Sequence, residues 1–431
     1  MILGIDVGGT HTDAVLVQNF QLIKKSKVLT NQAGIVSSLI EASEKLTSGA
    51  DPCNIQRIVI STTLSTNAIV QNKTNRVAMV LLTGPGLAPA ALGMDKDTYF
   101  IRGYVNHRGI PAQNVDEREI EEIGTEIAVK NIRHAGVVGK FSSRNPQQEL
   151  DTAKILESPS RHISLGHKLS GQLNFPRRIA TTYLNAAIHD IYADFVEDVR
   201  KFAARIGPEI PVYVLKADGG TILLDQSVHS PVQTIHSGPA AGIMGILATT
   251  DMTQDSVALD IGGTTTDISV FADGVPLLEP SGVTINGRKT LIRGLYTKSI
   301  GVGGDSVVEA AKDGLTIGPK REGPAAVFGG RTATPTDAMI VHGVAHIGDM
   351  QKARDAIEKI AVKLKMSVED AARTIVEKTA SLIADQIRMT IAEVNNKPVY
   401  TIHELLEGKI VEPKMLYVAG GPAALAPFIA K

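Results

Sequence analysis

The sequence has few of the residues that build covalent or aromatic sites. Its 431 residues include one cysteine, Cys53, and no tryptophan, with 8 tyrosines and 9 phenylalanines. A single thiol excludes an internal disulfide and a thiolate metal cluster, and it fits a reducing, cytoplasmic location. So few aromatic side chains argue against a surface on which single-stranded nucleic acid stacks.

Charge and hydropathy exclude further classes of protein. The 44 lysines and arginines balance 45 aspartates and glutamates, so no overall field attracts nucleic acid or anionic lipid. No apolar run approaches the roughly 18 residues of a membrane span. The N-terminus also lacks the basic segment of a secretory signal. We therefore expect a soluble protein of two or three domains, at about 150 residues for each domain.

An internal repeat organises the chain. The segment DVGGTHTDAVLV at 6–17 aligns without gaps with DIGGTTTDISVF at 260–271. Each copy follows a short apolar run and leads into alternating apolar residues, which predicts a strand, a glycine turn and a second strand. We interpret the copies as the starts of two duplicated lobes. The predicted domains are 1–170 and 171–431, with the core of the second lobe beginning near residue 256.

Helices and strands alternate after each predicted hairpin, which indicates mixed sheets flanked by helices. In the first lobe we predict a βββαβαβ order, with the strand over 77–82 in the same sheet as the hairpin. The chain ends soon after its last predicted strand, so we expect a longer natural protein. The principal predicted elements are helices over 33–46, 63–71, 177–204, 351–364 and 368–394, and strands over 57–60, 77–82, 136–141, 212–215 and 415–418.

Glycine turns between strands suit phosphate. Glycine lets the backbone approach an anion closely, and exposed N–H groups with threonine hydroxyls complete an anion-binding concavity. The carboxylates before the turns, Asp6 and Asp260, are suited to Mg²⁺ and to chemistry at the attacking oxygen. Asp13 and Asp267 are second candidates for the metal, or they stabilise the hairpins by accepting backbone N–H bonds. The predicted phosphate-binding residues are Gly8, Gly9, Thr10, Thr12, Gly262, Gly263, Thr264 and Thr265.

The paired turns resemble those of the superfamily of actin, hexokinase and the heat-shock chaperone ATPases. A third element of that superfamily resembles LYVAGGPAAL at 416–425, which implies that Gly420 and Gly421 lie near the adenosine. The resemblance implies an α/β fold of two ribonuclease H-like lobes with a nucleotide cleft between them. Neither a P-loop nor a complete GxGxxG motif is present in the sequence.

Longer segments resemble the A subunit of ATP-dependent hydantoinases and 5-oxoprolinases, and the related subunits of acetone and acetophenone carboxylases. That resemblance implies binding of ATP with Mg²⁺, phosphorylation of a cyclic amide or carbonyl substrate, and a B-type partner subunit for ring opening. An oligomer is compatible with it. The resembling segments are STTLSTNAIV at 61–70, GKFSSRNPQQEL at 139–150, LKADGGT at 215–221, TIHSGPAAGIMG at 234–245, LDIGGTTTDISV at 259–270, GVGGDSV at 301–307 and TPTDA at 334–338.

Two rival functions stay open at this stage. A self-sufficient small-molecule kinase of the same fold would release a stable phosphorylated product without a partner. A nucleotide-switched binding module would instead close on ATP and hydrolyse it slowly, without a substrate.

The remaining candidate residues each have a structural alternative. Ser237 and Gly238 begin a predicted helix that either receives an anion or packs closely through small residues. The loop of Gly303, Gly304 and Asp305 has the same ambiguity. Arg144 either binds a substrate carboxylate or forms a structural salt bridge.

Two histidine motifs are set aside. The segment HELLE at 403–407 lacks the final histidine of the zinc-protease helix. His189 and Asp190 are adjacent within the predicted helix over 177–204, where neighbours do not share a face, so a joint role is not expected.

Overall fold

The chain folds into two compact units, which we describe separately. The structure is a computed structural model that describes residues 1–9, 11–31, 34–47, 55–87, 92, 96–158, 160–311, 314–402 and 405–431. The first unit comprises Met1–Ala241 and Glu279–Gly294, and the second comprises Gly242–Leu278 and Leu295–Lys431. The domain division at residue 170 stays a prediction.

Strands and helices alternate along the described residues. The strands are β1 (Ile2–Val7), β2 (His11–Gln18), β3 (Gln21–Leu29), β4 (Arg57–Thr62), β5 (Val77–Leu82), β6 (Thr98–Phe100), β7 (Tyr104–Val105), β8 (Pro111–Gln113), β9 (His134–Gly139), β10 (His162–Leu165), β11 (Val212–Leu215), β12 (Thr221–Leu223), β13 (Ser256–Ile261), β14 (Thr266–Ala272), β15 (Val275–Pro276), β16 (Thr284–Ile285), β17 (Arg288–Lys289), β18 (Thr297–Ile300), β19 (Val308–Ala311), β20 (Gly314–Ile317), β21 (Val399–Tyr400), β22 (Leu405–Leu406) and β23 (Met415–Gly420). The helices are α1 (Ile35–Thr47), α2 (Leu64–Val70), α3 (Glu117–Val129), α4 (Gln147–Leu156), α5 (Gly166–Leu169), α6 (Phe175–Ala187), α7 (His189–Ile206), α8 (Leu224–Ser227), α9 (Ser237–Thr249), α10 (Pro335–Val341), α11 (Met350–Leu364), α12 (Val368–Asn395) and α13 (Ala426–Ile429).

The main sheet of the first unit has the order β12-β11-β4-β1-β2-β3. Strand β1 pairs antiparallel with β2 and parallel with β4. Its alternating pattern buries Leu3, Ile5 and Val7, which join a core shared with α1 and α7. Burying every second side chain in this way is what fixes the register of a strand.

A second sheet in the first unit has the order β10-β9-β5-β6, and all of its pairs are parallel. The prediction that 77–82 joins the hairpin sheet is therefore wrong, because β5 lies in this second sheet and β11 occupies the place beside β4. All six residues of β5 are buried. An apolar run predicts such a buried strand, but it does not identify the strand's partners.

The predicted helix over 177–204 is divided into α6 and α7. The carbonyl oxygen of Ala187 accepts a hydrogen bond from the backbone N–H of Asn75, at 2.7 Å, instead of continuing the helical pattern. Because this hydrogen bond comes from a residue far away in the sequence, the local sequence does not predict the break at Ile188.

The main sheet of the second unit has the order β15-β14-β13-β23, and β18 also pairs with β14. Helices α10, α11 and α12 contribute to the core beside it. Side-chain caps set where the two long helices begin: Asp349 accepts from the first turn of α11, and Ser367 accepts from the N–H of Asp370 in α12.

Each unit therefore contains a mixed sheet that begins with an antiparallel hairpin and carries helices. The predicted α/β class with two duplicated, hairpin-led lobes is confirmed. Within the residues that the structure describes, no helix combines the length and apolar character that crossing a membrane requires.

Candidate functional site

The two copies of the sequence repeat have the same strand register. Asp6 lies opposite Asp13 across β1 and β2, and Asp260 lies opposite Asp267 across β13 and β14. Each hairpin also has a parallel neighbour on the other side of its first strand, β4 in the first unit and β23 in the second. The sequence repeat is therefore a structural repeat.

The glycine turns close in the same way. The N–H of Gly8 donates to the carbonyl of His11 at 3.0 Å, and the N–H of Gly262 donates to the carbonyl of Thr265 at 2.9 Å. The Gly8 position is also crowded, since a Cβ there would lie 2.8 Å from the His11 oxygen. Both turns thus keep the tight backbone that a phosphate-binding loop needs.

In the first unit, Thr12 supports the turn from inside the protein. Its side chain is fully buried, and its hydroxyl lies 2.9 Å from that of Thr30. The Thr30 hydroxyl in turn donates to the carbonyl of Gly8 at 2.9 Å. Gly9, by contrast, is exposed at the tip of the turn.

A pocket of about 220 Å³ opens beside this first turn. Its polar atoms come from a glycine turn, hydroxyls, amides and one cation, a mixture suited to an anionic or polar ligand. The lining residues are Val7, Gly8, Gly9, Thr30, Ile35, Thr62, Thr63, Leu64, Asn67, Ala68, Gln71, Lys73 and Ile191.

In the second unit, the loop at 303–305 is bonded directly to the second glycine turn. The N–H of Gly304 donates to the carbonyl of Gly262 at 2.9 Å, and the N–H of Asp305 donates to that of Gly263 at 2.7 Å. The approach leaves no room for a side chain, because a Cβ on Gly303 would lie 2.7 Å from both of those carbonyl oxygens. This explains the glycines of the GVGGDS segment.

The turn predicted near the adenosine lies beside the same loop. Gly420 has a φ of +96°, and a Cβ there would come within 2.2 Å of the carbonyl oxygen of Ile261. A Cβ on Gly304 would come within 2.6 Å of Pro422, and nothing surrounds the corresponding position on Gly421. The second unit thus brings together three motifs that are far apart in sequence.

The hydroxyls of the second turn divide into exposed and buried ones. Thr264 and Thr265 are exposed beside Gly262. Thr266 is buried, and its hydroxyl donates to the carbonyl of Val302 at 2.7 Å. Since Thr266 aligns with Thr12 in the repeat, both copies use a buried threonine to support the turn.

The paired carboxylates have different surroundings in the two copies. Asp6 accepts from the Ser61 hydroxyl at 2.6 Å, and Asp13 forms an exposed ion pair with Lys27 at 2.9 Å. In the second copy, burial raises the pKa of Asp267, with a further contribution from the charge of Asp260. Asp13 and Asp267 thus occupy equivalent positions in the repeat but have different partners, since Asp267 accepts from the Ser299 hydroxyl.

Ser237 and Gly238 pack tightly at the start of α9. Ser237 is fully buried, and its hydroxyl donates to the carbonyl of Thr62 at 2.8 Å. A Cβ on Gly238 would lie 2.9 Å from a methyl group of Thr63. These contacts agree with close packing through small residues, and anion binding at this helix stays a prediction.

Two acidic residues stabilise the loops around the second turn. Asp305 pairs with Arg321 at 2.8 Å. Asp337, from the TPTDA segment, is fully buried and accepts bonds from the N–H groups of Ala326, Val327 and Thr334 and from the Thr334 hydroxyl. The TPTDA segment is therefore a capping box at the start of α10, which sequence reasoning missed although its Thr-x-x-Asp spacing announces it.

Arg144 lies exposed in the turn that follows β9, and no ion pair to its guanidinium is found within the described part of the chain. Beneath this turn, Arg178 is fully buried and donates to the carbonyls of Gln172, Gly139 and Lys140 at 2.6, 2.6 and 2.9 Å. Sequence reasoning missed Arg178, since a lone arginine in an amphipathic helix usually faces solvent.

A buried carboxylate completes the support of the same turn. Glu149 accepts from the N–H of Gly139 at 2.8 Å and lies 2.6 Å from Nδ1 of His167. Buried hydrogen bonds from Arg178 and to Glu149 thus hold the backbone at the start of the KFSSRNP segment, and Arg144 lies exposed in the same segment.

Some candidates lie outside the described residues, namely Thr10, Cys53, His403 and Glu404. The prediction that the side chains of His189 and Asp190 do not share a face is wrong, whereas a joint catalytic role stays a hypothesis. Helix α7 begins at His189, so both residues belong to its first turn, and Nδ1 of His189 lies 3.4 Å from Oδ1 of Asp190.

Comparison with known proteins gives matches along most of the chain. A model of hydantoinase/oxoprolinase matches residues 178–431, and a model of the hydantoinase/oxoprolinase N-terminal region matches residues 2–159. The caprolactamase subunit alpha of Pseudomonas jessenii is 25% identical over 87% of this chain and 60% of its own length. The 5-oxoprolinase of Saccharomyces cerevisiae is 23% identical over 79% of this chain and 31% of its own length.

Among solved structures, a nucleotide-free acetone carboxylase from a study of ATP-dependent acetone carboxylation matches with a TM-score of 0.73. It is 21% identical and covers 91% of this chain and 63% of the solved chain. This likeness concerns the fold. The chain also spans less than two thirds of the length of these relatives.

Proposed function

Because the chain belongs to the hydantoinase/oxoprolinase family, we propose that it binds ATP with Mg²⁺ and phosphorylates the oxygen of a cyclic amide or carbonyl substrate. The γ-phosphoryl group passes to the substrate oxygen and ADP leaves. For a cyclic amide, water then attacks the activated carbon and the ring C–N bond breaks, with the nitrogen taking a proton and leaving as an amine. A second water releases phosphate from the acyl phosphate that remains. The relatives named caprolactamase and 5-oxoprolinase support a cyclic amide as the substrate class.

The convergence in the second unit is the observation that supports nucleotide binding most strongly. The Gly262–Gly263 turn is bonded to the loop at 303–305 and lies close to the Gly420 turn, and no side chain fits at Gly303 or Gly420. Such close backbone with exposed threonine hydroxyls suits phosphate oxygens. We assign Thr264 and Thr265 to the phosphates and Gly420 and Gly421 to the adenosine.

The first hairpin supplies the second half of the proposed chemistry. Its turn has the same register and the same closing bond, and it lines a pocket that also holds Lys73. We assign Gly8 and Gly9 to phosphate contacts, and Asp6 with Asp260 to Mg²⁺ and the attacking oxygen. Carboxylate oxygens are hard ligands of the kind that Mg²⁺ requires.

A partner subunit belongs to the proposal. The similar caprolactamase protein is named as an alpha subunit, and two further relatives are named as subunits of acetone and acetophenone carboxylases. We propose a B-type hydantoinase subunit as the partner that completes ring opening. A cytoplasmic location is proposed with it, from the low cysteine content.

The test is calorimetric titration with ATP, with and without Mg²⁺, followed by phosphate release in the presence of caprolactam or 5-oxoproline. We expect Asp6→Asn and Asp260→Asn to abolish Mg²⁺-dependent turnover while the protein stays folded, since the amide removes charge with little change in volume. Asp385→Asn is the matched control, because Asp385 is an exposed acid whose ion pair is with its helix neighbour Arg388.

The outcomes separate the proposal from its rivals. Wild-type turnover with unchanged Mg²⁺ dependence in both site variants would overturn the assignment of the two carboxylates. A stable phosphorylated product without any partner would identify a self-sufficient kinase. Slow, substrate-independent hydrolysis would identify a nucleotide-switched binding module.

A further inference from the structure

Three histidines and one aspartate meet in the first unit, away from either glycine turn in sequence. His134 begins β9, His162 lies opposite it at the start of β10, and His189 and Asp190 begin α7. The cluster arises because the parallel strands start at the same edge of their sheet, where the break between α6 and α7 also falls. None of these residues has a role in the proposed ATP chemistry.

Three ligand-type atoms of this cluster are close enough to share one ion. Nε2 of His134 lies 3.0 Å from Oδ1 of Asp190, and Nδ1 of His189 lies 3.4 Å from the same oxygen. All three atoms lie within 4.8 Å of one another. Metal–nitrogen bonds of about 2.0–2.1 Å separate neighbouring ligand atoms by about 3.0 Å in an octahedron and about 3.4 Å in a tetrahedron.

We propose that His134, His189 and Asp190 bind a divalent transition-metal ion of the zinc or iron type. Two imidazoles and one carboxylate form a donor set that such ions prefer, and three protein ligands leave at least one position for water or a substrate. The inference rests on this cluster alone and is independent of the proposed function.

Burial differs among the three ligands in a way that fits a bound ion. The His134 side chain is 5% exposed, that of His189 is 19% exposed, and that of Asp190 is 30% exposed. The ion would therefore be anchored from the protein side by His134 and reached from solvent past Asp190. Arg161 lies 3.9 Å from Oδ2 of Asp190, whereas the two histidines contact Oδ1.

His162 holds the ring of His189 in place. The two rings stack with centroids 3.5 Å apart and an angle of 18° between their planes. Nε2 of His162 lies 3.0 Å from the Ser164 hydroxyl, which also accepts from the buried amide of Asn185 at 3.0 Å. Fixed outer partners of this kind orient metal ligands.

The test uses the full chain, stripped of metal by a chelator and titrated with Zn²⁺ by calorimetry and with Co²⁺ by visible spectroscopy. We expect one ion per chain and ligand-field absorption from Co²⁺, intense for four ligands and weak for six. His189→Gln and Asp190→Asn should weaken Zn²⁺ binding more than about 100-fold, beyond the roughly 10–100-fold loss expected for the outer residue in His162→Ala. His107→Gln, at an exposed histidine of the same unit, is the matched control and should bind like the wild type.

Two results would overturn the proposal. Absence of stoichiometric Zn²⁺ and Co²⁺ binding by the wild type would mean that the cluster is an ordinary His–Asp hydrogen-bond network. Equal affinity in Asp190→Asn and His107→Gln, with both proteins folded by circular dichroism, would place the ion elsewhere. ATP titration of the same variants keeps the two proposals apart, since loss of Zn²⁺ binding with intact ATP binding bears only on this cluster.

Discussion

Replacing Gly303 by alanine tests whether the close contact between the loop at 303–305 and the Gly262–Gly263 turn is needed for nucleotide binding. The new Cβ would lie 2.7 Å from the carbonyl oxygens of Gly262 and Gly263, and neither oxygen belongs to a side chain that can rotate away. The loop must therefore withdraw, and the bonds from Gly304 and Asp305 at 2.9 and 2.7 Å are lost or lengthened. At about 0.5–1.5 kcal/mol for each bond, the cost is about 1–3 kcal/mol.

The assay is paired measurement of ATP affinity by calorimetry and of unfolding by urea. Since about 1.4 kcal/mol is a factor of ten, we expect Gly303→Ala to weaken MgATP binding about tenfold and to lower the unfolding free energy by about 1–3 kcal/mol. Gly245→Ala is the matched control, because a Cβ in that helix meets no atom within 4 Å. It should raise stability by about 0.5–1 kcal/mol and leave affinity unchanged. Unchanged affinity in folded Gly303→Ala would refute the reasoning.

Two further predictions concern buried charges. Arg178→Lys should lower the unfolding free energy by about 3 kcal/mol in urea titration, because one ammonium nitrogen would replace the two guanidinium nitrogens that reach the three carbonyls from different positions. The exposed Arg144→Lys should change it by less than about 0.5 kcal/mol, and equal effects would contradict this. Burial raises the pKa of Asp267 in the folded protein above the ordinary value of an aspartate. The protonated carboxyl therefore favours the folded state at acid pH, and this contribution to stability is lost as the pH rises from the ordinary pKa through the raised one. The Asp267→Asn variant lacks this titration, so its stability relative to the wild type should increase between acid and neutral pH. A pH-independent difference would contradict a raised pKa at Asp267.

Sequence patterns predicted the hairpins well because a strand, a glycine turn and a strand are local features. Asp6 and Asp260 could be aligned from the repeat alone, and the structure places them opposite Asp13 and Asp267 across the two predicted hairpins. The limits appeared where distant residues decide the outcome. The strand at 77–82 was recognised but assigned to the wrong sheet, since hydrophobicity does not specify its partners.

Side-chain clusters were harder to predict than elements. Arg178 is buried because it serves the carbonyls of another segment, which its own helix pattern does not reveal. His134 and His189 come together through sheet order and through a helix break caused by a tertiary bond to Ala187. The spacing of residues along the chain reveals neither the strand order nor the helix break, so the cluster could be found only from the three-dimensional structure.

The two copies of the hairpin show which part of the repeat the fold requires. The register, the closing bond of the turn and the buried threonine are common to both copies. The second carboxylate is half-buried in both, but it pairs with Lys27 in one copy and accepts from the Ser299 hydroxyl in the other. A feature needed only to close the hairpin would have the same surroundings twice. The different partners of Asp13 and Asp267 therefore indicate that the two turns share the same backbone conformation, whereas the carboxylates that follow them have different roles.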